Sequence, residues 1–269
     1  MNNLPPQIDF AVDQDFVDNI GKGNDFDQRE IFSLFAAINY IFNLYKIIHY
    51  VMRQNAALDA KELEAMGLDY STANRLSENL AREKHIYNFI HAIMLNKPDE
   101  VNDALNKETV DKNLLLSDTA LFHFISVKWD VHNLTCLNIA AILGRYGICR
   151  LLIEHGFDIS KMIVLYRIKA YGISLSINEC LLMNAIFRWY KSDRKKMEKP
   201  AAQELIDTII LASNKCPEIV NDEHILEVGI RVQWYWTHIK DAIEDTEMLK
   251  QLIPLNSNAM KEVLNIGNS

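Results

Sequence analysis

The hydrophobic residues between positions 31 and 96 recur with helical spacing, and no strand-like alternation interrupts them. The longest apolar stretch, Ile31–Tyr45, predicts one long helix. A short helix around Ala60–Met66 and a third over Ser71–Ile93, with a break near Lys84, are predicted to follow. The pattern therefore indicates a helical region in this part of the chain.

The apolar stretch is short for a membrane-spanning helix. Its fifteen residues lie between Glu30 and Lys46, whereas a bilayer requires about 20 apolar residues. Asn39, Asn43 and Lys46 are four and three residues apart, so they share one helix face. A buried or groove-lining helix is therefore favoured over a membrane anchor.

The composition favours a globular and mostly helical chain. Of the 269 residues, 49% are hydrophobic and 24% charged, and only 9 Gly and 6 Pro are present for the tight turns of all-β folds. The formal net charge of −8 argues against broad binding to nucleic-acid phosphates. The first thirty residues hold seven acids against two bases, so residues 1–30 are interpreted as an acidic N-terminal arm.

The clearest motif is a helical hairpin in residues 130–160, which read DVHNLTCLNIAAILGRYGICRLLIEHGFDIS. Thr135 can cap the first helix through its hydroxyl. Gly144 and Gly156 can end the two helices in the left-handed conformation, which Asn133 also tolerates. Such a hairpin cannot bury both of its faces alone, so it must stack on neighbours.

This segment resembles the ankyrin repeat, whose pattern is a T-P-L-H-x-A-A helix start, a glycine-led turn and a second helix ending in L-L-x-x-G-A-D. The matching positions are Thr135, Leu137, Ile139, Ala140, Ala141, Gly144, Leu151, Leu152, Gly156 and Asp158. The positions that depart from the pattern are Asn133, Cys136, Asn138 and Phe157. The resemblance implies a stack of helical hairpins that binds other proteins.

Weaker copies of the hairpin flank this unit. The equivalent positions are Ala92, Ala140, Ala185 and Gly229. Their spacings of 48, 45 and 44 residues exceed the roughly 33 of ankyrin repeats. Residues Arg188–Pro200 and Gln233–Asp245 are therefore interpreted as insertions between the helices of the third and fourth units. A spacing near 45 also suits HEAT-like repeats, so another α-solenoid is an alternative.

Residues 61–80 are similar to the helix-turn-helix of winged DNA-binding domains, with Gly67 in the turn and Arg75 at the start of the second helix. Four bases against six acids over Leu58–Lys84 would repel phosphates. A packing hairpin is therefore the main interpretation, and a DNA-binding regulator is an alternative.

A further resemblance lies nearer the start of the chain. Leu4–Pro6, Glu30–Leu34 and Tyr40–Leu44 look faintly like an F-box, a helical module that docks on a ubiquitin-ligase adaptor. An adaptor of this kind is another alternative.

Catalytic and metal-binding motifs find little support in the sequence. His85 and His91 are six residues apart and cannot share a helix face as metal ligands at i and i+4 do. The four cysteines form no CxxC pair and are expected to be reduced, buried packing residues. We therefore expect no enzyme, cofactor or metal site, with an enzyme whose site lies in the N-terminal helical region as the alternative.

Two further clusters have two interpretations each. The basic run within Arg188–Lys199 is interpreted as a solvated loop that could meet an acidic partner or a lipid headgroup. The three aromatic residues Trp234, Tyr235 and Trp236 cannot all face inward. They would either anchor a partner or cover the C-terminal end of the stack.

The sequence thus predicts an all-α protein, with an N-terminal helical region over residues 31–85 followed by an ankyrin-type helical-hairpin solenoid with insertions over residues 86–269. The resemblance implies that turn tips and inner helix faces bind a protein partner. The residues expected to contact it are Lys128, Trp129, Val131, His132, Arg145, Tyr146, Trp234 and Trp236.

The combination of degenerate repeats with helices of no evident family also resembles effectors that intracellular bacteria inject into host cells. That resemblance implies a host protein as the partner and the host cytosol as the working compartment. Because no signal segment opens the chain, the cytoplasm is otherwise expected.

Overall fold

The computed structural model describes residues 60–65, 70–116, 119, 129–167, 172–217, 235 and 237–255. Over these residues the chain is mostly helical, as the hydrophobic pattern predicts. The apolar stretch Ile31–Tyr45 and the acidic arm 1–30 lie outside the described residues. In the part of the chain that the structure describes, no helix is long and apolar enough to cross a membrane.

Helices dominate the order of elements, and three short strands interrupt them. The elements are α1 (Ala60–Ala65), α2 (Tyr70–Arg82), α3 (Lys84–Met94), α4 (Pro98–Asn106), β1 (Trp129–His132), α5 (Cys136–Ile142), α6 (Tyr146–Glu154), β2 (Ile163–Arg167), β3 (Gly172–Leu175), α7 (Ile177–Lys191), α8 (Lys199–Lys215), α9 (Thr246–Leu249) and a 3-10 helix (Lys250–Leu255). The predicted break near Lys84 is confirmed, because Glu83 separates α2 from α3.

Six of the helices form three consecutive hairpins that pack side by side. The hairpins are α3–α4, α5–α6 and α7–α8, and the two helices of each contact one another. The first helices pack in chain order, α3 on α5 and α5 on α7, and the second helices do the same, α4 on α6 and α6 on α8. The hydrophobic core lies between these two layers of helices.

The first two hairpins repeat each other's backbone hydrogen bonds at an offset of 48 residues. After α3 and α5, the amides of Asn96 and Gly144 each donate to the carbonyl three residues earlier, at 3.1 and 3.0 Å. Both residues have positive φ, +57° and +64°. Glu108 and Gly156 follow α4 and α6 with the same hydrogen bond and with φ of +50° and +81°. The predicted spacing of 48 residues between these two units is therefore confirmed.

The third hairpin departs from the predicted register. Thr135 and Ser176 cap α5 and α7 with the same side-chain arrangement, so the helix starts are 41 residues apart rather than 45. Segment Arg188–Pro200 separates the two helices of this unit, as predicted, but only residues 192–198 lie between them, because α7 continues to Lys191 and α8 begins at Lys199. Pro200 suits the first turn of α8, where its missing N–H costs no hydrogen bond.

A small antiparallel sheet, which the hydrophobic pattern does not predict, joins the second and third hairpins. β1 pairs with β2 from Trp129 opposite Arg167 to His132 opposite Val164. β2 then pairs with β3, which leads directly into α7. The order of the strands is β1-β2-β3.

The C-terminal part of the described chain packs on the third hairpin. Residues 237–242 are helical and bury Ile239 and Ala242. The amide of Met197, between α7 and α8, donates to the carbonyl of Ala242 at 2.8 Å. The described apolar side chains of Gln233–Asp245 thus belong to the core, and the prediction that this segment is an insertion stays a prediction, because the preceding residues 218–234 lie outside the described part of the chain.

Candidate functional site

The residues predicted to bind a partner are divided between two ends of α5. β1 enters the N-terminal end of this helix and places the exposed His132 there. Arg145 and Tyr146 follow its C-terminal end. A helix of seven residues is about 10 Å long, so these side chains do not form one patch, and the predicted surface must be divided.

Strand β1 carries the predicted residues at the N-terminal end. Trp129 and Val131 lie on this strand, paired with Arg167 and Leu165 of β2. Their side chains, together with Lys128, Trp234 and Trp236, lie outside the described part of the structure. The partner-binding role of these residues therefore stays a prediction.

The backbone between β1 and α5 is fixed by local hydrogen bonds. Asn133 has a φ of +57°, which confirms the left-handed conformation predicted for it. The Thr135 hydroxyl accepts a hydrogen bond from the Asn138 amide at 3.2 Å, and the Asn138 Oδ1 accepts one from the Thr135 amide at 3.0 Å. This reciprocal cap confirms the predicted start of α5 and holds His132 at a defined position.

Tyr146 is not available to a partner, and that prediction is wrong. Its side chain is only 3% exposed, and its hydroxyl donates to Oδ1 of Asn184 at 3.3 Å. Burial raises the pKa of Tyr146 well above its usual range, although the neighbouring Arg188 acts in the opposite direction. The physical reason is the length of α7, which continues past the end of α5 and covers this position.

Arg145 also serves the packing of the hairpins. Its Nη2 and Nε donate to the backbone carbonyl of Met94 at 2.7 and 3.2 Å. Met94 is the last residue of α3, whose final carbonyls have no partner within the helix. The half-buried Arg145 therefore joins the second hairpin to the first, which corrects its predicted place on the partner surface.

Asn184, which is not among the predicted site residues, makes the corresponding connection from the third hairpin to the second. Its Nδ2 donates to the carbonyl of Ile142, the last residue of α5, at 2.6 Å. The side chain is 2% exposed and lies over Gly144, where a Cβ atom would be 2.1 Å from the Asn184 Oδ1. The only signal in the sequence is an asparagine within the apolar run of α7, where an unpaired amide would be costly.

The four cysteines are reduced and buried, as predicted. All four lie in the described part of the chain. Burial raises the pKa of the Cys136 thiol to about 12, and it also raises the pKa values of Cys149 and Cys180. Because the thiolate is the nucleophile, these three residues are unsuited to the thiol chemistry that an enzyme alternative would need.

We expect none of the four thiols to react with Ellman's reagent in the native protein at pH 8, because each is buried. Denaturant should expose all four, and their labelling rate should follow global unfolding. The measurement is the release of the coloured thiol with and without denaturant. Rapid modification of even one cysteine in the native state would contradict the burial described above.

The remaining alternatives are metal binding, DNA binding and an F-box, and the described residues assemble no site for any of them. No group of three or more His, Cys, Asp or Glu side chains there could hold a metal ion. α1 and α2 correspond to the predicted helix-turn-helix, and Arg75 of α2 is exposed. DNA binding through this helix stays a prediction, and the segments of the F-box resemblance lie outside the described residues.

Comparisons with known proteins do not assign the chain to a family. No protein-family model matches it, and neither a curated protein nor a solved structure does. The resemblance to the ankyrin repeat therefore depends on the residues of the 130–160 segment, and any function must be argued from the geometry described above.

Proposed function

We propose that this chain is an ankyrin-type repeat protein that binds another protein. The observation that carries the proposal is the repetition of one hairpin, with the same terminal hydrogen bonds and the same left-handed residues, 48 positions along the chain. The side-by-side packing of three hairpins in chain order supports it. Stacked repeats of this kind offer an extended surface rather than a closed catalytic cavity.

The proposed binding surface lies at the strand end of the hairpins. β1 and β3 lead into the N-terminal ends of α5 and α7, and β2 pairs with both strands. The sheet therefore joins two repeats, and its strand β1 contains Trp129, Val131 and His132. Aromatic side chains on a rigid support are favoured anchors in protein interfaces, because little conformational entropy is lost on binding.

The proposed partner is a protein of eukaryotic cytosol, as the resemblance to injected bacterial effectors implies. Four reduced thiols and the absence of disulfides in the chain support a reducing compartment. Arg145 and Tyr146 are left out of the proposed surface, because both serve contacts between hairpins.

The proposal is tested by capture from eukaryotic cytosol followed by mass spectrometry. The bait proteins are the wild type, the double variant Trp129→Ala/His132→Ala, and the control Tyr70→Ala/His85→Ala. The control also removes one aromatic residue and one histidine, both of them exposed and located on helices α2 and α3 rather than on a strand of the sheet. Circular dichroism establishes that each bait is folded.

A partner that binds the wild type and the control, but not the variant of the sheet, is the expected result. A partner lost equally from both variants would place binding elsewhere on the chain. Absence of any partner, or one indifferent to the sheet variant, would overturn the proposal and direct attention to the N-terminal helical region.

A further inference from the structure

The hairpin tip formed by residues 188–199 is the most basic segment of an acidic protein. It reads RWYKSDRKKMEK and holds six basic residues against two acidic ones, whereas the whole chain has a net charge of −8. All six side chains from Lys191 to Lys196 are exposed. The tip therefore presents a local positive charge opposite in sign to that of the protein.

The tip extends beyond the neighbouring hairpin. α7 has fifteen residues and α5 has seven, and Asn184 lies level with the end of α5. The remaining seven residues of α7, 185–191, extend about 10 Å further. This end of α7 is opposite to the end that β3 enters, so the tip is separate from the sheet surface proposed above.

The backbone of the tip is fixed in one conformation. Asp193 and Arg194 have φ of +53° and +62°, and the Arg194 amide donates to the carbonyl of Trp189 at 2.9 Å. The Ser192 hydroxyl lies within hydrogen-bonding distance of the carbonyls of Trp189 and Lys195, at 3.0 and 3.2 Å. A preformed turn presents its charges with a smaller entropy loss on binding than a flexible loop would.

The basic side chains of the tip differ in the contacts that they make. Lys199 pairs with Asp245 at 3.0 Å, and the Arg194 guanidinium lies 5.9 Å from the centre of the Trp189 ring. No carboxylate of the described residues lies within ion-pair distance of Lys195 or Lys196. Arg194, Lys195 and Lys196 are thus consecutive and exposed, and none of them forms an ion pair with a described acid.

We propose that this tip binds a short acidic segment, rich in Asp and Glu, of a protein partner. A short segment can contact the tip alone, whereas an anionic bilayer or a nucleic-acid duplex would also meet the acidic remainder of the chain. None of the exposed side chains from Lys191 to Lys196 is apolar, and the hydrophobic side chains of the tip, Trp189, Tyr190 and Met197, pack partly buried against the core, so the tip exposes no hydrophobic group to insert into a membrane. This inference does not depend on the sheet surface.

Fluorescence anisotropy with a labelled octaglutamate peptide tests the proposal on the full chain. The variants are Lys195→Glu/Lys196→Glu in the tip and Lys107→Glu/Lys112→Glu as the control. The control changes the net charge by the same amount at two exposed lysines that follow α4. We expect the tip variant to bind at least about ten-fold more weakly and the control to stay within about three-fold of the wild type.

Two further arms use vesicles that contain phosphatidylserine and a DNA duplex, at about 50 and 200 mM salt. We expect the wild type to bind the vesicles and the duplex more weakly than it binds the peptide. No binding of the peptide by the wild type, equal losses in the two variants, or tighter binding to vesicles or duplex would overturn the proposal. If the tip variant no longer binds the peptide but still captures the partner that binds the sheet surface, the two surfaces act independently.

Discussion

Replacing Gly144 by alanine is expected to lower the free energy of unfolding by about 2 to 5 kcal/mol. The left-handed conformation at φ +64° costs a residue with a Cβ about 1 to 2 kcal/mol. The new Cβ would also lie 2.1 Å from the Asn184 Oδ1, so the asparagine must move. Displacing it breaks its hydrogen bond to the buried end of α5, which adds about 1 to 3 kcal/mol.

Two other glycines of the same hairpin provide matched controls in a chemical denaturation series. Gly156 also has positive φ, but a Cβ there meets nothing within 4 Å, so Gly156→Ala should cost only the left-handed strain of about 1 to 2 kcal/mol. Gly147 lies exposed in α6 without positive φ, and Gly147→Ala should be neutral or stabilising by up to about 1 kcal/mol. Equal losses at Gly144 and Gly156 would contradict the proposed role of the Asn184 contact.

Features of the fold that depend on neighbouring residues could be predicted from the sequence. Thr135 caps α5, and Asn133, Gly144 and Gly156 adopt the left-handed conformation, as their residue types indicate. The spacing of the first two hairpins follows from the same signals. One exception is Glu108, which has the left-handed conformation in the first hairpin at the position equivalent to Gly156 in the second. Here the repeated hydrogen bonds tolerate a residue that the sequence pattern would not select.

Features that depend on distant pairing could not be predicted. β1 has only four residues, and Asp130 pairs with Tyr166, a partner 36 positions away. The surface role predicted for Tyr146 and Arg145 comes from the ankyrin resemblance, which implies that turn tips bind a partner. In this chain the longer α7 covers Tyr146, and the carbonyl at the end of α3 engages Arg145. Only the packing between units decides both positions.

Removing the Asn184 amide is expected to have the second large effect. Asn184→Ala deletes the 2.6 Å hydrogen bond to the Ile142 carbonyl and the acceptor of the Tyr146 hydroxyl. Both groups are buried, so we expect a loss of about 2 to 4 kcal/mol. The control Asn88→Ala makes the same change at an exposed position of α3 and should stay within about 0.5 kcal/mol.

The stability losses expected for Gly144→Ala and Asn184→Ala are coupled, because both depend on the contact between position 144 and the Asn184 side chain. In the double variant Gly144→Ala/Asn184→Ala, the Cβ added at position 144 no longer meets the Asn184 amide. The change at position 144 then adds only the left-handed strain to the loss caused by Asn184→Ala. The double variant should therefore be about 1 to 3 kcal/mol more stable than the sum of the two single losses predicts. Denaturation of the four proteins measures this coupling. Strict additivity would show that Asn184 does not pack on Gly144 in solution.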